Sequence, residues 1–520
     1  MSQPAGLVYL PEDILLEVAS HLSVFDVLSL KQTCRTLYAF GSTDYLWHRI
    51  VQRIDIPLDL PPDTPLSALA HYELQPIVLK ALRLEANWRR RPPRLKTLRL
   101  LPRDTQGQYV DQMHFVQGGR WLLTVQRNRQ RGRPGSHLEV WSLEDEPYAI
   151  ANVDTTGLYR TAVMELKEAN QSITLAVGYQ TDDLAEVVAV YSVPFRDRSE
   201  FLFYTAPTLT PTTTLRVSPH PSVKWQSAKF IHQLSLSDGR LVVSVVDPTG
   251  QTGMSLLQVC LMDIKSRVSR WLDPKYLRVR LSRQCPDPSH TNLSPQRFSD
   301  VSVKIHAHNG HLLLLGPARQ SITLRVYAMP PSLLPKLSSD TCDPANAFLD
   351  LGPPISEYEQ PLRHHSQFQD IIHVSPPSAA SISALVVCSF HDTSPRVGQV
   401  TRFPLPPGPA AVRGPRLPGA SRDFSMPSHV SAQLAQVGPS GRAVWVEHDW
   451  EAQKKRFMRF QMRRDEWDGA GVPAAVGALL PPDVALPFLP DTVHSLAFDE
   501  VTGRVCLGLF NGDIYVMDFV

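Results

Sequence analysis

Leu95-Lys96-Thr97-Leu98-Arg99-Leu100-Leu101 is where this 520-residue chain changes texture. Upstream, apolar residues recur at helical spacing. Downstream, short β-prone runs alternate with clusters of Gly, Pro, Asp and Ser, the pattern of an all-β domain. The run itself reads as a strand that precedes the first complete β unit, and its partner has to be found elsewhere in the chain.

The downstream half supplies that partner through a weak repeat. A strand of similar shape recurs at Val140-Trp141-Ser142-Leu143, Val190-Tyr191-Ser192-Val193, Leu261-Met262-Asp263-Ile264, Val326-Tyr327-Ala328-Met329, Arg402-Phe403-Pro404-Leu405, Arg459-Phe460-Gln461-Met462 and Val516-Met517-Asp518-Phe519. Before most of them lies a near-continuous apolar strand, such as Trp121-Leu122-Leu123-Thr124-Val125, Leu241-Val242-Val243-Ser244-Val245 or Leu312-Leu313-Leu314-Leu315. Such continuity suits a strand buried on both faces. An alternating strand comes earlier still, as in His114-Phe115-Val116 or Ser495-Leu496-Ala497-Phe498. Seven such units predict a β-propeller of four-stranded blades. Their spacing, roughly 50 to 76 residues, exceeds the ~40–45 of a WD repeat. The excess is assigned to Pro/Ser-rich insertions at 205–222, 283–299, 330–366 and 404–428. Neither the WD dipeptide nor a Gly-His signature recurs regularly, so the domain is WD-like only in architecture. The last unit stops on its third strand, and Leu95–Leu101 is expected to complete it and close the ring. The alternative is that this strand merely starts the domain and that six or eight blades are present.

Upstream, the decisive run is Leu10-Pro11-Glu12-Asp13-Ile14-Leu15-Leu16-Glu17-Val18-Ala19-Ser20-His21-Leu22. Pro11 suits the first helical position, where its missing N–H costs nothing. Glu12 and Asp13 sit in the first turn, where the helix dipole favours negative charge. Ile14, Leu15, Val18 and Leu22 make one apolar stripe. Ser23 and Asp26 form a second start signal of capping-box type. Val27, Leu28 and Leu30 supply the next face, continued by Cys34, Leu37, Tyr38 and Phe40. Gly41 breaks it, and Trp47, Ile50 and Val51 resume it. The result is three short amphipathic helices. About forty-five residues cannot bury all these side chains internally. The surplus implies a partner surface or docking onto the rest of the chain.

The order of the Leu10-Pro11 opening, the Cys34-Arg35 pair and the closing Trp47 resembles an F-box. The resemblance covers residues 7 to 54. It implies contacts with a Skp-type adaptor at Leu10, Pro11, Ile14, Leu15, Val18, Leu22, Leu28, Leu30, Cys34 and Trp47, and through the adaptor with cullin and RING subunits. Thr33 stands where Val is commoner, and Leu37 replaces a frequent Trp, departures that bear on affinity. The bland reading is an N-terminal helical cap packed only on its own domain. Pro57, Pro61, Pro62 and Pro65 mark a linker. Helical spacing returns over 66–90, where Pro76 is expected to start a second helix or kink the first. Leu84-Glu85-Ala86-Asn87-Trp88-Arg89-Arg90 is similar to the link between F-box and recognition domain in large fungal F-box families. The chain thus divides into a three-helix F-box-like domain at 7–54, a Pro-rich linker and helical connector at 55–94, and an all-β propeller at 95–520. This makes an α+β multidomain chain. The resemblance implies a substrate-recognition subunit of an SCF-type cullin-RING ubiquitin ligase in the cytoplasm or nucleus. The rivals are an F-box-containing interaction scaffold and a propeller enzyme.

Composition narrows the choices. Hydrophobic residues are 43% and charged residues 20%, which suits a globular core. A net charge of +2 gives no global case for nucleic-acid binding. The 46 prolines favour turns over long helices. Cysteines 34, 260, 285, 342, 388 and 506 stand singly, so no zinc ribbon or redox CxxC is expected. Met1-Ser2-Gln3-Pro4-Ala5-Gly6 does not read as a secretory signal, and no apolar run of membrane-spanning length occurs.

No P-loop, GxSxG, HExxH or dinucleotide fingerprint is present, so no catalytic residue and no cofactor are assigned. Gly438-Pro439-Ser440-Gly441 reads as a turn. His306, His308 and His311 could suggest a metal, but Asn309-Gly310 between them is a hairpin signal, and no metal site is assigned. Arg127, Arg129, Arg131 and Arg133 crowd one loop of the first blade, and Lys454, Lys455 and Arg456 fall near the equivalent loop of the sixth. These are candidate target-binding residues for an acidic or phosphorylated segment; the simpler reading is a solvated loop. Asp182, Asp183 and Glu186 in the corresponding loop of the second blade partly offset their field.

Overall fold

The computed structural model describes residues 6–520, apart from 55, 62–63, 65, 104–107, 117, 129–134, 145, 168–171, 196–205, 218–229, 248–255, 273–302, 319–320, 331–332, 334–347, 362–369, 379–380, 389–395, 407–419 and 462–474. Five helices come first: α1 (Glu12–Ser20), α2 (Val24–Lys31), α3 (Arg35–Phe40), α4 (Asp44–Arg53) and α5 (His71–Trp88). The expected third helix is therefore a pair, α3 and α4, split after Phe40. Pro11 is the N-cap of α1 and not its first residue, with Glu12 and Asp13 in the first turn. The Ser23–Asp26 capping box is present at α2. Pro76 neither starts a helix nor ends one, since α5 runs through it. At the sixth helical position its missing N–H costs one backbone bond. Buried Leu74, Val78, Ala81 and Leu84 on the same helix outweigh that loss.

The rest is a ring of seven sheets. Blade one comprises Gln112–Phe115, Trp121–Asn128, Gly135–Ser142 and Tyr148–Thr155; blade two, Leu158–Lys167, Ser172–Gln180, Glu186–Pro194 and Thr213–Arg216. Blade three comprises Phe230–Ser237, Arg240–Asp247, Leu256–Asp263 and Ser269–Leu272; blade four, Lys304–His308, His311–Ala318, Ser321–Ala328 and Ser356–Pro361. Blade five comprises Asp370–Val374, Ser381–Cys388, Arg396–Pro404 and Ala420–Met426; blade six, Val430–Val437, Ala443–Asp449, Lys454–Gln461 and Ala475–Ala478. Blade seven has Val493–Asp499, Arg504–Leu509 and Ile514–Asp518 from the end of the chain, and Thr97–Leu100 as its fourth strand. Each recurrent run quoted above falls at the third strand of its blade, the sixth as far as Gln461, the last described residue of that run. The near-continuous apolar runs are second strands, buried between neighbouring blades.

Ring closure is antiparallel, with Thr97 opposite Asp518 and Leu100 opposite Tyr515. Asp518 fixes it electrostatically. Its carboxylate accepts from Arg99 at 2.9 Å and Thr97 at 3.0 Å on the closing strand, and from Arg504 at 2.6 Å on the second strand. Arg504 also donates to the Gly119 carbonyl of blade one at 2.8 Å.

Three of the expected insertions contain fourth strands of their own blades, namely Thr213–Arg216, Ser356–Pro361 and Ala420–Met426. The fourth insertion, 283–299, lies outside the described residues. Two of the connections also clasp the blade before them. Asn152 on the outer strand of blade one donates to the Pro207 carbonyl and accepts from the Leu209 N–H, both residues belonging to blade two's connection. Phe348–Leu349, from blade four's connection, pairs in parallel with Trp271–Leu272 of blade three. Both contacts cover backbone that an outer edge otherwise leaves open.

Candidate interaction surfaces

The helical module has two apolar interiors. Leu15, Leu16, Ala19, Val27, Leu37, Phe40 and Leu46 form one, with Leu22 and Leu30 packed partly against it. Val24, Trp47, Val51, Leu69, Leu74 and Val78 form the other, which joins α2 and α4 to α5. Trp47 is wholly buried there, and its indole N–H donates to the Gly41 carbonyl at 2.9 Å.

The predicted adaptor residues therefore divide. Leu10, Pro11, Ile14 and Cys34 are exposed, and Val18, Leu22, Leu28 and Leu30 are half-buried. Leu15 and Trp47 are interior and offer no surface in this conformation. The stripe of α1 is displaced: Leu15, Leu16 and Ala19 face inward, while Ile14 stands 45% exposed. On α3, Leu37 and Phe40 face inward and Tyr38 outward. Tyr9, Phe25, Tyr38 and Tyr45 are exposed aromatics that the sequence did not single out for contact. Their signal was an aromatic side chain off the inward stripe of a short helix. These aromatics add to the exposed apolar side chains of the small module.

Helix α5 joins this module to one end of the propeller. In an antiparallel blade, the first hairpin and the third-to-fourth connection lie at one end. The second hairpin and the segment entering the first strand lie at the other. The described contacts of α5 with the propeller are at the first end. Trp88 stacks on Phe498 at 5.7 Å and meets Phe519 edge-on at 5.5 Å. Gly503, at φ +67°, carries no side chain because a Cβ there would collide with Leu84. Glu85 accepts from the buried Arg442 guanidinium, from Arg89 at 2.6 Å and from Gln461 at 2.8 Å. Glu500 accepts from the backbone N–H groups of Ser440 and Arg442 at 2.7 and 3.0 Å. Burial pushes its carboxyl up, against the pull of Arg442. Gly438-Pro439-Ser440-Gly441 is a turn between strands, as its composition predicts, and is part of this joint. Asn87 donates to the Phe519 carbonyl, tying the helix end to the last strand.

Exposed large apolar side chains gather at the opposite end. Leu100, Leu158, Leu184, Trp450, Leu489 and Phe510 all belong to second hairpins, to segments entering a first strand, or to the closing strand beside one. Lys454 and Lys455 lie at this end, as expected for the sixth blade's loop, and the Lys455 ammonium is 3.5 Å from the Asp491 carbonyl. Arg456 is tied to buried Glu447. Arg127 lies on the second strand of blade one, while Arg129, Arg131 and Arg133 lie outside the described residues. In blade two, Asp183 pairs with Arg216 at 3.2 Å. Glu186 is not part of the loop's outward field: it is buried on Arg160 at 3.2 Å and accepts the Ile231 N–H.

His114, His306 and His373 sit on first strands of blades one, four and five. Solvent reaches them, yet protein surrounds them, as in the narrow channel of a propeller. Burial pushes all three down to about 4, helped at His306 and His373 by the Lys304 charge. His308 and His311 face each other across the Asn309-Gly310 hairpin, whose residues take φ +46° and +74°. Because the folded pKa values lie below the unfolded one, the unfolded chain binds more protons between pH 6.5 and 4. Stability is therefore expected to fall as pH drops from about 6.5 toward 4. Buried Asp499 and Glu500, pushed up, oppose the trend in part. Urea midpoints at pH 7 and pH 5 check this, and a His114→Gln/His306→Gln/His373→Gln variant should flatten the difference.

Residues 7–53 match a family described as F-box-like. No curated protein matches the chain. The chain carries an F-box-like domain followed by a seven-bladed β-propeller. Among the described residues, no helix is long and apolar enough to cross a membrane.

Proposed function

We propose that this chain, an F-box-like domain fixed to a seven-bladed propeller, is the substrate-recognition subunit of an SCF-type cullin-RING ubiquitin ligase. The observation that carries this reading is the division of labour between its two ends. Exposed apolar side chains on α1–α3 and the segment before α1 are available to a Skp-type adaptor. Helix α5 occupies one end of the propeller, and the exposed apolar loops lie at the other. A target held at that far end is carried by a rigid arm linked to the adaptor, the cullin and the RING-bound ubiquitin-loaded enzyme. The contribution is effective concentration and orientation, with no chemistry performed by the chain itself.

Reconstitution with adaptor, cullin and RING subunit tests it. Ubiquitin transfer to a bound target that depends on this chain is the expected result. A target that binds but stays unmodified in a correctly assembled complex overturns the ligase reading and leaves an interaction scaffold.

A further inference from the structure

Three rings meet at the far end of blade seven. Tyr109, in the segment entering blade one, packs edge-on against His494 at 4.5 Å and Phe510 at 6.0 Å. His494 and Phe510 are 4.7 Å apart. Phe510 opens the second hairpin of blade seven and is 51% exposed. Its N–H donates to the Thr492 carbonyl at 3.0 Å, which holds the preceding turn, with Leu489 69% exposed, beside it.

Carboxylates gather around these rings. From 479 to 520 the sequence has one Lys or Arg, Arg504, besides His494 of the cluster itself, and Arg504 is bound to Asp518 near the helix-docked end. Asp483, Asp491 and Asp513 lie at the ring-bearing end, the first two exposed. Among the described residues, two cations that reach in from other blades are engaged. Arg103 donates to Glu139 at 2.6 Å and to the Gly512 carbonyl at 3.2 Å, and Lys455 lies on the Asp491 carbonyl. Aromatic faces attract a cation, and nearby carboxylates strengthen that attraction where water is partly excluded.

We propose that the Tyr109–His494–Phe510 cluster, with Asp491 and Asp513 beside it, is a subsite that takes a lysine or arginine side chain from a target segment. It rests on the reading that the end remote from the helices faces the target. The aliphatic stem of that residue lies along Phe510 and Leu489, and its charged head meets the ring faces and carboxylates.

The test uses the full-length chain and an array of immobilised peptides, identical except for Arg, Lys, Leu or Glu at one central position. Retention of the Arg and Lys peptides should exceed that of the Leu and Glu peptides at least fivefold. Phe510→Ala, and separately Asp491→Asn/Asp513→Asn, should remove that preference while the urea midpoint stays unchanged. Equal retention of all four peptides, retention of none, preference for Leu or Glu, or a preference that survives both variants overturns the proposal. Adaptor binding, measured in parallel, separates the two readings. A chain that binds adaptor but not basic peptides loses only the subsite. A chain that binds basic peptides but not adaptor loses only the ligase assignment.

Discussion

Replacing Arg442 with methionine is expected to lower stability by about 3–5 kcal/mol, the cost of leaving a buried charge without its partner. Arg442 is almost fully buried and joins Glu85 of α5 to the backbone carbonyl of Glu500. Without its guanidinium, Glu500 keeps two backbone donors and the weaker pull of Arg402 but loses the stronger pull of Arg442, in a place where burial already disfavours its charge. Relief of repulsion offsets a little of this. Arg459 shares the site, and its guanidinium is brought down to about 10, first by burial and then by the nearby Arg91 and Arg442. The urea midpoint of the full chain checks the loss. An Arg442→Met/Glu85→Leu variant should recover part of it, because the Glu85 carboxylate is no longer buried without Arg442, although Arg89 and Gln461 lose an acceptor. Stability unchanged by Arg442→Met would mean that α5 is held by apolar contact alone, through Leu84 and Trp88.

Trp47→Ala should be as damaging, at about 3–5 kcal/mol, through the cavity left by a large buried side chain. The indole fills the space between α2, α4 and α5 and satisfies the Gly41 carbonyl. Adaptor binding should be lost along with the folded module. Ile14→Ala is the contrast: at 45% exposure its removal should leave the urea midpoint within about 0.5 kcal/mol of the parent and still weaken adaptor binding. If Trp47→Ala leaves the module folded and weakens the adaptor only, the indole is a contact residue and its inward placement is wrong for the bound state.

The sequence showed the seven third strands because each ends a steep alternation of apolar runs and turn residues. It showed ring closure because the last unit lacked a fourth strand and Leu95–Leu101 lacked a neighbour. Periodicity placed three helices in the small module where there are four, and did not place their inward faces. Trp47 faces α5, and nothing between residues 44 and 53 records that a helix from 71–88 will cover it. Pro76 does not start a helix, one of its two expected roles, because packing on both sides outweighs one lost hydrogen bond and α5 runs through it. The Tyr109–His494–Phe510 cluster was illegible, because its members meet only when the two ends of the β domain are brought together by the closing strand. Three of the fourth strands were hidden within Pro/Ser-rich stretches such as 205–222, where a four-residue strand, Thr213–Arg216, carries the pairing.

The most direct measurement is adaptor binding by the purified full-length chain, compared with a Leu10→Ala/Pro11→Ala variant of matched urea midpoint. The predicted result is a saturable one-to-one complex for the parent and at least tenfold weaker binding for the variant. Equal affinity for both, or no complex with either, would contradict the assignment of this face to a Skp-type adaptor.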